Sequence, residues 1–207
     1  MPKGQQTKNG YVVENDAEKS CWLKGALLFL VLVFIDQLTK FLAVAYFGED
    51  TFSKITIIPN YIYLRLSYNP GIAWGMLGLS EGWVKIIVIA ATAVLMLALT
   101  IAYFCIDRRR AWLRTAFVFI VAGGVGNLID RLYYQIWIPS SYGVRDMVDL
   151  SAFGFGICNF ADFFIVAGAI ILVLALLFFD AEAINPLGKY KLLASELEEK
   201  RKKKAEK

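Results

Sequence analysis

The chain has 207 residues, 58% of them hydrophobic, a net charge of +4 and a mean hydropathy of +0.55; soluble domains hold roughly 45–50% apolar residues. It has no histidine and only three scattered cysteines, Cys21, Cys105 and Cys158. A disulfide framework, a Ser-His-Asp or Cys-His nucleophile and a His-ligated zinc site are thereby excluded, so carboxylates must carry any acid and base chemistry.

Charges crowd into the first 24 residues, the segment Asp107 to Arg114 and the chain after Phe179, leaving four apolar stretches: Gly25–Phe47, Ile86–Ile106, Thr115–Leu132 and Asn159–Phe179. Each is long enough to span a bilayer. Ile86–Ile106 holds no charged residue and would reach about 32 Å as a helix. The first stretch runs too long for a signal-peptide core and lacks a small-residue cleavage site, so it is expected to be retained.

Basic residues set the expected orientation. Arg108, Arg109, Arg110 and Arg114 follow the second stretch, and a Lys- and Arg-rich run follows the fourth. Both should be cytoplasmic, which puts both termini inside and the connections 48–85 and 133–158 outside. Trp22 and Trp112 then fall at the inner boundary, and Trp83, Tyr133, Tyr134 and Trp137 at the outer one. In the first outer connection, Thr56–Leu66 alternates and is rich in β-branched and aromatic residues, the pattern of a short strand or two on the membrane face, and Asn69-Pro70-Gly71 signals a turn. The tail from Tyr190 mixes Glu and Lys as a solvated helix drawn to anionic lipid would.

Ionisable residues inside spans mark function by default. Asp36 and Lys40 are four apart on one helix face and can neutralise each other. Asp130 and Asp162 have no basic residue on their own helix face, and counting along the spans puts them at similar depth. Each ends an N-x-x-D pattern, Asn127 to Asp130 and Asn159 to Asp162, so on a helix each Asn would lie beside its Asp. Gly123-Gly124-Val125-Gly126 with Ala122 forms a small-residue face that lets another helix approach closely. Two carboxylates in a low-dielectric pocket share a proton and suit aspartic-protease chemistry. The competing structural reading is a hydrogen-bonded carboxyl pair that only locks the bundle.

Together, Asp36-Gln37-Leu38-Thr39-Lys40, Asn69-Pro70-Gly71-Ile72-Ala73-Trp74-Gly75, Gly123 through Arg131 and Cys158-Asn159-Phe160-Ala161-Asp162 resemble the bacterial lipoprotein signal peptidase family, signal peptidase II, in order and spacing. The resemblance implies an all-α membrane protein of four transmembrane helices, with a small outer-surface β-like segment between spans one and two. It divides the chain into a cytoplasmic segment 1–21, a four-span peptidase domain 22–180 and a basic cytoplasmic tail 181–207. The implied activity is an aspartyl endopeptidase of the bacterial inner membrane, which cuts signal peptides just before a diacylglyceryl-modified cysteine without metal or cofactor. Asp130 and Asp162 correspond to the catalytic pair. Asp36, Lys40, Asn69, Gly71, Asn127, Arg131 and Asn159 would position substrate or brace the site. The implied partners are lipid-modified prolipoproteins and membrane lipids, with no nucleic acid and no oligomer required.

Departures from the family pattern are visible. Trp74 stands for a usual Phe, and Gly156 and Cys158 replace a usual Pro and Phe. A longer connection from Leu132 to Val148 leaves either Asp146 or Asp149 to match the family's acidic residue, with Val148-Asp149-Leu150 the better fit. Cys158 has no helper base and reads as a packing residue. A transporter or proton relay would need acids reaching both membrane faces, and a presenilin-like protease needs Gly-x-Gly-Asp, whereas Asn127 to Ile129 separate Gly126 from Asp130.

Overall fold

The computed structural model describes residues 5–48, 50, 52–71, 82–107, 109–137 and 143–205. The Ile72-Ala73-Trp74-Gly75 part of the Asn69–Gly75 motif lies outside the described residues. Four long helices carry the chain: α1 (Gln5–Phe47), α2 (Gly82–Cys105), α3 (Ala111–Arg131) and α4 (Phe160–Leu177). Segments of all four are long and apolar enough to cross a membrane: Trp22–Phe47, Trp83–Cys105, Ala111–Trp137 and Phe160–Leu177. α1 stops where Gly48 adopts φ 60° and donates its N–H to Val44 O at 2.8 Å, a left-handed end that glycine adopts without strain. α3 runs on as a wider π-helical stretch, Leu132–Trp137, beyond the expected end of the third span.

α3 is the inner helix, with 56% of its span buried against 22, 11 and 17% for the spans of α1, α2 and α4. Its glycines explain how three neighbours reach it. A Cβ on Gly123 would stand 2.3 Å from Ala161 O of α4, one on Gly124 2.0 Å from Met96 Sδ of α2, and one on Gly126 2.4 Å from Asp36 Oδ2 of α1. Gly168 repeats the device from α4, where a Cβ would lie 2.9 Å from Ala116 O. The small-residue face therefore serves packing within this chain. Outward positions such as Leu27, Leu30, Phe34, Phe41, Ile87, Val94 and Ile170 remain exposed, as lipid-facing residues do.

At one end of the bundle sits an antiparallel sheet in the order β1 (Ile55–Ile58), β2 (Ile62–Asn69), β3 (Val144–Asp149), β4 (Ile157–Cys158). The expected β-like segment is present as β1 and β2, but the connection between α3 and α4 supplies two more strands. Short strands cannot stand alone, and β2 offers its free edge to β3, with Ser67 opposite Asp146 and Asn69 opposite Val144. Leu66 and Met147 bury against Ala43 and fix the sheet to the end of α1. At the other end α5 (Lys189–Ala205) joins the α2–α3 connection through Glu182, which pairs with Arg201 at 2.6 Å and Arg110 at 3.6 Å, while Arg110 also holds Asp180 at 2.7 Å.

Candidate active site

The polar residues singled out along the chain converge where the sheet meets α1, α3 and the start of α4. Lys40 is wholly buried, with Nζ 2.9 Å from Asp36 Oδ2, 3.0 Å from Asn127 Oδ1 and 3.6 Å from Asp130 Oδ2. The Asp36–Lys40 pair thus forms as spacing suggests and also ties α1 to α3. Asp36 Oδ1 accepts the Ala161 N–H at 3.0 Å, so a carboxylate on α1 satisfies one of the free donors at the N-terminus of α4.

The two N-x-x-D patterns work differently from the side-by-side arrangement that helical spacing suggests. Asn159 is the N-cap of α4: its Oδ1 accepts from Asp162 N at 3.1 Å while Asp162 Oδ2 accepts from Asn159 N at 3.1 Å, a reciprocal capping box. The Asn127 amide crosses to α4 and donates to Asp162 Oδ1 at 2.9 Å. Its oxygen accepts from Asn159 Nδ2 at 3.0 Å and from Lys40. Asn127 is therefore the link from α3 to Asp162, and Asp130 has other partners.

Asp130 is completely enclosed. Arg145 wraps it with three donors, N at 2.8 Å and Nε at 3.1 Å to Oδ2, and Nη2 at 2.7 Å to Oδ1. Gln37 adds a contact at 3.5 Å and steadies Arg145 by accepting from Nη2 at 3.0 Å. The expectation that Asp130 lacks a cation held only for its own helix, since Lys40 of α1 and Arg145 of β3 both reach it.

Successive residues of a strand diverge, and the residue after Arg145 turns to the other carboxylate. Asp146 is 3% exposed; Asn159 Nδ2 donates to its Oδ1 at 2.6 Å, and the Asn69 side chain bonds it too. Burial and the neighbouring Asp162 charge push its carboxyl up to about 7, against the two amides and the more distant Lys40, which lower it. Asp162 is half-buried and so remains reachable. Asp149, the better sequence match to the family's acidic position, lies elsewhere: it accepts from Ser151 N and Oγ and pairs with Arg65 at 3.2 Å, away from the Asn127–Asn159 network. The structure brings Asp146, and not Asp149, to the site.

The remaining expected residues edge the pocket. Asn69 Oδ1 accepts the Gly71 N–H at 3.1 Å and closes the turn after β2. Gly71 O accepts from Arg131 Nη2 at 3.2 Å, so Arg131 reaches across to that turn, as its sideways position on the helix implies. Cys158 Sγ lies 3.5 Å from Val148 O, and burial, with nearby carboxylates, pushes its thiol up to about 12. That favours the thiol over the thiolate, which fits a packing residue. Sequence reasoning missed Gln37 and Arg145 as site residues and left Asp146 as the weaker of two matches to the family's acidic position; no local pattern marks this strand, because Val144–Asp149 does not alternate.

Residues 28–178 match the family model described as signal peptidase (SPase) II. A lipoprotein signal peptidase of Fusobacterium nucleatum is 32% identical over 158 residues, covering 74% of this chain and 86% of that protein. One of Pseudomonas fluorescens is 33% identical over 165 residues, covering 74% and 85%. A bacterial membrane enzyme solved by the in meso method at 2.3 Å resolution superposes with a TM-score of 0.60 at 27% identity, covering 74% of this chain and 87% of its own. With the family's segment spanning all four helices and the buried carboxylate site, the chain belongs to the signal peptidase II family and is a membrane protease that removes signal peptides.

Proposed function

We propose that this chain cleaves prolipoproteins just before a diacylglyceryl-modified cysteine, and that Asp146 and Asp162 perform the chemistry in place of the Asp130–Asp162 pair expected from the sequence. The observation that carries this reading is the division of the carboxylates. Asp130 is sealed between Arg145 and Lys40, with its oxygens committed to their donors. Asp146 and Asp162 are joined through Asn159, which donates to Asp146 and caps Asp162, and neither forms an ion pair among the described residues.

The chemistry follows from that division. Asp146, titrating near 7, is the member of the pair able to hold a proton near neutral pH, and in that form it donates the proton to the scissile carbonyl oxygen. Asp162 removes a proton from water as the water oxygen attacks the carbonyl carbon. In the tetrahedral intermediate Asp162 returns that proton to the amide nitrogen, the C–N bond breaks, and Asp146 recovers its own from the diol. Asn127 and Asn159 hold the pair in register, while Asp36, Lys40, Asp130 and Arg145 brace the helix ends and the strand that present it. Asn69, Gly71 and Arg131 edge the substrate's approach.

The basic α2–α3 connection and tail support cytoplasmic termini, with the sheet and carboxylates at the outer face of the bacterial inner membrane. The test is a mass-shift assay on a diacylglyceryl-modified proprotein, with Asp146→Asn, Asp162→Asn and Asp130→Asn side by side. Loss of at least about a thousandfold in kcat for the first two is expected, from a pair that acts as a unit. Asp130→Asn, which keeps one acceptor for Arg145, should retain measurable cleavage. Wild-type turnover by Asp146→Asn would return the catalytic role to Asp130.

A further inference from the structure

Away from the carboxylates, at the end where α2 leads into α3, a groove of about 750 Å3 opens between α1, α2 and α3. Its walls include Trp22, Ala26, Phe29, Tyr103, Phe104 and Val121, and no lining residue is charged. Thr100, a polar lining group, is turned back onto its own helix, donating to Met96 O at 2.7 Å.

One cation stands over the groove. Arg114, in the first turn of α3, is 5% exposed, and its guanidinium lies 4.2 Å from the Tyr103 ring centre and 5.8 Å from that of Trp22, both of which line the groove. Nη1 donates to Ile106 O at 3.1 Å. Nη2 is buried with no partner, and among the described residues no carboxylate pairs with this arginine. Gly25 helps hold the arrangement, because a Cβ there would stand 2.0 Å from the Tyr103 hydroxyl and force the ring out from beneath the guanidinium. Two aromatic faces attract the cation but leave its Nη2 donors unmet, and a buried guanidinium without an anion is costly.

We infer that this groove binds an anionic phospholipid, with the headgroup phosphate on Arg114 and an acyl chain along the apolar wall. The phosphate supplies the missing acceptor in the geometry guanidinium groups recognise. The chain has room, for cavities of roughly 300–1,000 Å3 hold small-molecule ligands, and the groove is flanked by outward-facing Leu23 and Phe104 on the lipid side. A signal peptide fits the charge less well, since its leading segment is basic and would meet Arg114 with a second cation. This binding is independent of the peptidase chemistry at the other end of the bundle.

The test is native mass spectrometry of the purified full-length protein released from micelles containing either phosphatidylglycerol or phosphatidylcholine. Wild type should retain phosphatidylglycerol and shed phosphatidylcholine. Arg114→Gln should retain roughly tenfold less, the loss of one charge-assisted contact, and Arg114→Lys most of it. Ala26→Trp fills the groove from an exposed position and should expel the lipid while cleaving substrate at the wild-type rate. Equal retention of the two lipids, or undiminished phosphatidylglycerol on a correctly folded Ala26→Trp, overturns the inference whether or not Arg114→Gln folds. Displacement by inorganic phosphate alone would make the occupant a free anion, and displacement by an unlipidated signal peptide would make it the substrate; either result also overturns it.

Discussion

Asp146 and Asp149 stand three apart on β3, yet their surroundings pull them in opposite directions. Asp149 is held below the usual carboxylate range by Ser151 and Arg65, while Asp146 is pushed up to about 7. The Asp146 carboxyl holds its proton more tightly in the folded chain than in the unfolded one, so its contribution to stability is complete below about pH 4 and is lost as pH rises through 7. Asp146→Asn removes that penalty: it should melt above wild type at about pH 8, with the gap closing toward pH 5, even as cleavage disappears. Thermal melts in detergent across this range check it. In wild type the same titration should appear as an alkaline limb in kcat/KM with a midpoint near 7. A profile flat from pH 6 to about 9 would contradict the proposed acid. Lys40 makes the complementary case. Lys40→Met leaves Asp36 buried without its cation and should cost about 3–5 kcal/mol, part of which Asp36→Asn in the same chain should restore. Urea or thermal unfolding of the single and double variants measures that coupling.

Among the elements, α3 depends on glycine for three separate reasons, and their costs should differ. Gly123→Ala would press a methyl onto the backbone of α4 at Ala161, which cannot give way without moving the helix, so a loss of about 1–3 kcal/mol is expected. Gly124→Ala meets the side chain of Met96, which has rotamers to spare, and should cost less. Melting temperatures that rank Gly124→Ala as the worse variant would show that α2 is the more rigid neighbour. The sheet illustrates a limit of local patterns. The alternation in Thr56–Leu66 was legible because β1 and β2 are consecutive. β3 and β4 were not: Val144–Asp149 carries two aspartates and an arginine, poor strand residues by propensity, and is held as a strand by pairing with β2 across a long sequence separation.

For the whole molecule, basic residues gather at one end of the bundle and the carboxylate site with its sheet at the other. Single-cysteine variants test the proposed orientation. In a background without native cysteines, Phe52→Cys beside the sheet should react with an impermeant maleimide in intact cells, and Ser195→Cys on α5 only after permeabilisation. The reverse pattern would invert the protein and place its chemistry in the cytoplasm.

The amino-acid sequence alone determined the four spans, their boundaries to within a turn or so, the Asp36–Lys40 pair and the family, because hydropathy, i,i+4 spacing and motif order are local properties of the chain. It also marked most residues of the polar cluster. Which carboxylate faces which partner was decided only in three dimensions. Asp130 and Asp162 look equivalent as two N-x-x-D patterns, but Asn127 lies within α3 and reaches across to Asp162 on α4, while Asn159 sits just before α4 and caps it. Arg145 and Asp146, remote in sequence from both, arrive on a strand whose alternation sends the cation to Asp130 and the acid to Asn159. Charge pairing in a buried site depends on what lies within a few ångströms, and sequence separation carries no information about that distance.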